Sequence, residues 1–311
     1  MIAFHQGVHL AAKTSLKVGG KAAWYCEPAG EPQVREALDF ASRRNLPVFV
    51  LGKGTNVCIS DKGLAGLVIN VSTALRGIEW DATRAYCLGG TLLHDLVLAS
   101  VRRGFAGAQM LAGIPGTIAG ALVMNAGAFG QSFGSIVDSV SLVEPQTGET
   151  RVVHREDLSL EYRSSSLKQC IEIVTGVACA FEEGDREELC DTVASIVARR
   201  KGKHPLDRPN CGSVFKNPPG SSAGRLIEYC GIKGFSIDGV QISTKHANFF
   251  VTSPGATAEA FRCLVGHVQR TVYERRGIML DPEVLFIGSF DNPLFVPDGD
   301  GHERKKRGNH D

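Results

Sequence analysis

Residues 113–130, GIPGTIAGALVMNAGAFG, hold five glycines, four alanines, one proline and a lone asparagine, with no charge. Each glycine costs about 1 kcal/mol against alanine inside a helix, so a long buried helix is a poor reading of the stretch. So much bare backbone in an apolar setting serves one of two ends. Either another part of the protein packs tightly against it, or a large ligand must approach its amides closely.

The 311 residues exceed one ordinary core and suggest about two or three domains. EPQVREALDFASRRN places Val34, Ala37, Leu38 and Ala41 at helical spacing after Pro32, and LPVFVLG reads as a strand ending in glycine. GLVINV, TALRGIEW and RAYCLGG are strand candidates. TLLHDLVLASVRRG predicts a helix with Leu92, Leu93, Leu96 and Val97 inward and Gly104 closing it. SIVDSVSLVEP, TRVVHRED and CIEIVTGVACAFE, separated by turn residues, read as antiparallel strands. Asp185 and Glu188 form a capping box for a helix that turns Leu189, Val193, Ile196 and Val197 inward. The basic connector ARRKGKHPLDRP then reads as a domain boundary. Beyond it come a short helix in AGRLIEYCG and the strand HANFFVT. A long helix from Thr257 and the strand PEVLFIG complete the globular part. The mixture predicts an α+β fold in three parts, 1–70, 71–202 and 203–288, followed by a tail, 289–311, whose basic run Arg304–Arg307 suits solvent or a polyanion.

A formal net charge of +1 points to neither nucleic acid nor membrane as a partner, and no run of apolar residues is long enough to span a bilayer. The start lacks a basic segment leading into an apolar core, and the expectation is a cytoplasmic protein. The nine cysteines (26, 58, 87, 170, 179, 190, 211, 230 and 263) are too widely spaced for a CxxC site and read as reduced, mostly buried thiols. His94, His204 and His246 lack metal-ligand spacing, so no metal is expected.

VLGKGTNVCIS places Gly52 and Gly54 just after a strand, with Thr55 and Asn56 as side-chain donors. That suits a pyrophosphate held by backbone amides, and it also suits a plain turn. It is not the Rossmann fingerprint, because GxGxxG fails at Val57 and no helical pattern follows. Together with the 113–130 stretch it fits a dinucleotide bound without a Rossmann fold.

LGKGTN, AGIPGTIAGALVMNAGAFG, EYRSSSL, CGSVFKNP, AGRLIEYCGIKG, KHANFF and DPEVLFIG occur in this order, and together they resemble the UDP-N-acetylenolpyruvoylglucosamine reductases from about Thr14 to Gly288. The resemblance implies an FAD enzyme of peptidoglycan synthesis that uses NADPH to reduce an enolpyruvyl ether on a nucleotide sugar, UDP-N-acetylglucosamine enolpyruvate. The implied fold is of the vanillyl-alcohol-oxidase type: two FAD-binding subdomains and an α+β substrate-binding domain. FAD would be noncovalent, since neither cofactor loop carries a histidine. The oligomeric state is left open.

Carried over by position, Gly52, Lys53, Gly54, Thr55 and Asn56 resemble the family's pyrophosphate loop, with Thr55 where serine is commoner. Cofactor contacts would come from Gly113, Ile114, Pro115, Gly116, Thr117, Gly120, Asn125, Ala126, Gly127 and Val177. The implied catalytic set is Ser213, Arg163 and Glu283, with Tyr162, Lys203 and Asn217 as substrate contacts. FSIDGVQIST departs from the commoner family wording, and the short interval from Phe181 to Ser213 resembles the lidless type II branch. The chemistry suits these residue types. Arg163 offers a permanent cation with a planar fork for a carboxylate, Glu283 acts if its pKa is raised, and Ser213 supplies a proton. Another flavin oxidase, or a regulator that only binds a nucleotide, would have no use for all three.

Overall fold

Six of the seven residues of the strand Leu64–Asn70 are buried, the near-continuous apolar run of a strand covered on both faces. The computed structural model describes residues 1–169 and 172–297. In it, this strand runs parallel to Lys21–Cys26 on one side and to Val48–Leu51 on the other, with His5–His9 antiparallel at the edge. Helix α1 (Glu31–Ser42) has Pro32 in its first turn and buries Val34, Ala37, Leu38 and Ala41 as the spacing predicts.

A second sheet is wholly antiparallel. Ile173–Ala180 lies between Val137–Val143 and Arg84–Leu88, with Thr150–His154 and Ile78–Asp81 at the edges. Its core also takes in residues of α2 (Leu93–Arg102), α3 (Ile118–Val123) and α4 (Arg186–Lys203). Four details differ from the sequence expectation. Of TALRGIEW only the end is strand, because Ser72, Arg76, Gly77 and Thr91 make local hydrogen bonds that replace a ladder. Leu92 is the N-cap of α2 and not part of its inner face. Val197 is exposed, and the inner stripe of α4 continues from Leu189, Val193 and Ile196 to position 200. The centre of the glycine-alanine stretch is the six-residue helix α3, capped by the Thr117 hydroxyl, which accepts from Gly120 N–H.

The third unit pairs Asn210–Ser213, Phe249–Thr252, Val240–Ile242 and Ser236–Ile237 in that spatial order. Helices α5 (Ala223–Tyr229) and α6 (Ala258–Arg276) cover it. Leu16, Val18 and Cys58 join its core, and Leu285–Ile287 pairs in parallel with Val57–Ile59, so the third unit is fastened to the first. Within the segment assigned to the tail on sequence, residues 290–295 make contacts with this unit. Glu259 accepts from the Asp291 and Asn292 amides, Phe290 meets Phe286, and Phe295 meets Tyr273. The run Arg304–Arg307 and Cys170 lie outside the described residues. The described cysteines carry free thiols, mostly buried, and no described helix is long and apolar enough to cross a membrane.

Candidate active site

The two glycine-rich segments meet. A Cβ on Gly52 would lie 2.7 Å from the Thr117 hydroxyl, and one on Gly116 would lie 3.5 Å from that of Thr55. Thr55 donates to Pro115 O across 3.3 Å, sixty residues away in sequence. Gly54 is left-handed (φ 65°), and a Cβ there would lie 2.4 Å from Lys13 O, so only glycine lets the loop lie this close to the N-terminal segment. What the two loops turn to solvent is largely backbone. Lys53, Gly113, Pro115 and Gly120 are exposed, with Gly52, Thr55, Ile114 and Gly116 half-buried between them.

The catalytic candidates come together from three elements. Glu283 N–H donates to Val214 O across 2.8 Å, which places Glu283 beside Ser213. Arg163 Nε contacts Glu283 Oε1 at 2.8 Å, and its Nη2 donates to Gly127 O at 2.7 Å. Arg163 itself is left-handed (φ 56°), a strained backbone for a long side chain. Burial pushes the Glu283 carboxyl up, while the adjacent Arg163, and then Lys216 and Lys168, pull it down. Asn56 spends its side-chain amide on Glu283 O at 3.0 Å, tying the 52–56 loop to the segment that carries Glu283.

The Arg163 guanidinium lies 4.9 Å over the Tyr162 ring. The Tyr162 hydroxyl accepts from Asn217 N–H at 3.4 Å, and Asn217 Oδ1 accepts from Ala223 N–H at the start of α5. Lys203 ends α4, exposed, one residue before His204, whose ring stacks on Phe249, the strand partner of Ser213. Ala126 and Gly127 are half-buried, and Gly127 supplies the carbonyl that Arg163 binds.

Two expected cofactor contacts are not brought to the site. Val177 has no accessible surface and sits mid-sheet between Cys87 and Val140, so it offers nothing for a ligand to touch. Asn125 is buried and holds neighbouring loops together, donating to Glu161 O and accepting from Gly134 N–H.

Arg200 was not singled out on sequence, although it stands four residues after Ile196 on the inner stripe of α4. Its Nε is buried without a hydrogen-bond partner among the described residues, and a Cβ on Gly113 would lie 2.8 Å from its Cδ. Burial and then the charge of Arg163 depress its pKa. A buried guanidinium nitrogen with no acceptor is costly alone, and a cofactor carrying acceptors or negative charge against the exposed loops would relieve it. Bare backbone on two touching loops and an unmatched cation at their rim fit FAD. Phe129, left-handed and exposed at the tip of a hairpin with Arg199 and Arg200 over its ring, completes that rim. Among the described residues no three metal-ligating side chains come together.

His204 is lowered to about 4 from its ordinary 6.5, chiefly by burial and then by His246, Arg200, Lys245 and Lys203. Folding therefore favours the neutral ring. Its contribution to stability is complete above about pH 6.5 and is lost as the pH falls through about 4. A His204→Phe variant keeps a ring against Phe249, and its Tm is expected to fall less steeply than that of the wild type between these pH values. Parallel Tm curves would show that the ring does not titrate with folding.

The UDP-N-acetylenolpyruvoylglucosamine reductase C-terminal domain profile matches residues 204–287, and an FAD binding domain profile matches residues 22–154. A UDP-N-acetylenolpyruvoylglucosamine reductase of Synechococcus sp. (strain JA-3-3Ab) is 39% identical over 290 residues, covering 93% of this chain and 92% of its own. One from Synechococcus elongatus is 40% identical over 293 residues, covering 93% and 96%. Among solved structures, the Thermus caldophilus UDP-N-acetylenolpyruvylglucosamine reductase superposes with a TM-score of 0.78 at 31% identity, over 93% of this chain and 99% of its own.

Proposed function

The chain belongs to the UDP-N-acetylenolpyruvoylglucosamine reductase family, and on that premise we propose that it reduces UDP-N-acetylglucosamine enolpyruvate to UDP-N-acetylmuramate with NADPH, in the cytoplasm. The protein is an FAD oxidoreductase of peptidoglycan precursor synthesis. The observation that carries the finer reading is the Arg163–Glu283 pair, one backbone hydrogen bond from the Ser213–Val214 segment and tied through Asn56 to the glycine loops.

Gly52–Asn56 and Gly113–Thr117, with Gly120, Ala126, Gly127 and Arg200, would hold the cofactor. Bound FAD supplies hydride relay from NADPH to the terminal enolpyruvyl carbon. Negative charge then develops on the substrate carboxylate and the carbon beside it. Two of the five guanidinium donors of Arg163 are spent on Glu283 and Gly127. The rest are available to clamp that carboxylate and stabilise the charge where it develops. Glu283, raised by burial, shares a proton with the same carboxylate. The Ser213 hydroxyl delivers the proton to carbon, its acidity helped by Lys203 or a bound water. Tyr162, Lys203 and Asn217 bind the nucleotide-sugar phosphates.

The test is spectroscopic. The purified holoenzyme under anaerobic conditions is expected to lose its visible flavin band on addition of NADPH and to regain it on addition of UDP-N-acetylglucosamine enolpyruvate. A band that bleaches and never returns with this substrate would overturn the substrate assignment while leaving the cofactor in place.

A further inference from the structure

Ser213 stands where the strand pairing of the third unit is irregular. Asn210 lies opposite Val251 but Ser213 lies opposite Phe249, so three steps on one strand match two on its neighbour. The extra residue is absorbed at Gly212, which is left-handed (φ 77°) and whose N–H is held by Asn210 Oδ1 at 3.0 Å. A bulge directly before a reacting side chain aims it, but it also leaves the segment beyond without a regular ladder.

That ladder is replaced by a single residue. Val214 N–H donates to Asn248 O at 2.8 Å. At the next residue, Asn248 Oδ1 accepts from Phe215 N–H at 3.0 Å and its Nδ2 donates to Phe215 O at 2.8 Å. The amide of Asn248 thus acts as a substitute peptide group, meeting both backbone groups of Phe215. Asn248 is 3% exposed and is itself fixed, its N–H donating to His246 Nδ1 at 3.2 Å. On the opposite edge Val214 O accepts from Glu283 N–H. The segment that follows Ser213 is therefore clamped between Asn248 and the residue that pairs with Arg163.

We propose that Asn248 is a positioning residue for protonation, holding the Ser213 hydroxyl in register with Glu283 and Arg163 by completing the interrupted ladder with its side-chain amide. The proposal rests on the reading of Ser213 as the proton donor. The primary amide of Asn248 offers an acceptor and a donor side by side, matching Phe215 N–H and C=O together. Removing them leaves both buried groups without partners and lets the serine drift, and a misplacement of about 1 Å can cost roughly a hundredfold in rate.

The experiment compares the two half-reactions of the holoenzyme by anaerobic rapid mixing. Recovery of the flavin band in wild type with UDP-N-acetylglucosamine enolpyruvate is the control for the reading itself; if wild type fails there, that reading falls, and the clamp is not what failed. In Asn248→Ala, bleaching by NADPH is expected to stay within about twofold of wild type and the substrate KM within about threefold. Recovery of the band is expected to slow by about ten- to a hundredfold, with a larger solvent deuterium isotope effect as proton delivery becomes limiting. Asn248→Asp, which keeps the acceptor for Phe215 N–H but loses the donor, is expected to fall between the two and guards against poor folding of the alanine variant. Equal slowing of both half-reactions, a rise in KM with kcat unchanged, or an unchanged isotope effect in both variants would overturn the proposal.

Discussion

Replacing Ser213 with alanine is expected to leave bleaching of the flavin by NADPH intact while recovery of the band with substrate slows by about 10²- to 10⁴-fold, the range for losing a positioned proton donor. The substitution removes one oxygen from a half-buried side chain at the end of a strand, next to a turn already set by Gly212 and Asn210. The backbone needs nothing from the hydroxyl to hold its course, and Tm is expected to move by no more than a few degrees. Rapid-mixing absorbance resolves the two half-reactions. Equal loss in both would remove Ser213 from its proton-donor role and point to a damaged cofactor site.

Arg163→Ala carries the second large effect, and it reaches binding as well as chemistry. Loss of one preorganised donor to a developing oxyanion costs about 10²- to 10³-fold in kcat, and loss of the fork for the substrate carboxylate raises KM in addition. Glu283 is affected in the same variant. Burial raises its pKa and Arg163 is the first group opposing that rise, so without the guanidinium the carboxyl holds its proton to higher pH. A kcat/KM profile of the variant should therefore show its carboxyl limb displaced to higher pH. Arg163→Lys keeps the charge but not the fork, and should recover only part of the loss. Steady-state kinetics indistinguishable from wild type would exclude Arg163 from the site.

The parts of this site that could be read before the fold was known are those where residue type alone states a backbone requirement. Gly54 and Gly116 are left-handed, a backbone that glycine adopts without strain, and a Cβ on Gly52 would crowd the Thr117 hydroxyl. The inner faces of α1 and α6 follow from spacing because both helices cover a core with one side. Exposure is what spacing does not encode. Asn125 and Val177 sit in plausible stretches, but tertiary packing turns the first onto Glu161 and Gly134 and seals the second inside the sheet. Arg200 was hidden for the converse reason. A charged residue late in a basic helix end reads as solvated, although its place after Leu189, Val193 and Ile196 puts it on the buried stripe. Ser213, Arg163 and Glu283 stand fifty and seventy residues apart along the chain, and only the pairing of Val214 with Glu283 and the ion pair of Glu283 with Arg163 make them neighbours.

The parallel pairing of Val57–Ile59 with Leu285–Ile287, and the bond from Asn56 to Glu283 O across 227 residues, set an order of events in synthesis. The 52–56 loop emerges early from the ribosome, but the strand that follows it, Val57–Ile59, has no strand neighbour until Leu285–Ile287 has been translated. A nascent chain halted before Glu283 carries an open strand edge and an untethered loop. On the proposed reading of the 52–56 loop and Glu283, cofactor loading is expected to be a late step, and a product truncated before Glu283 is expected to be purified without flavin.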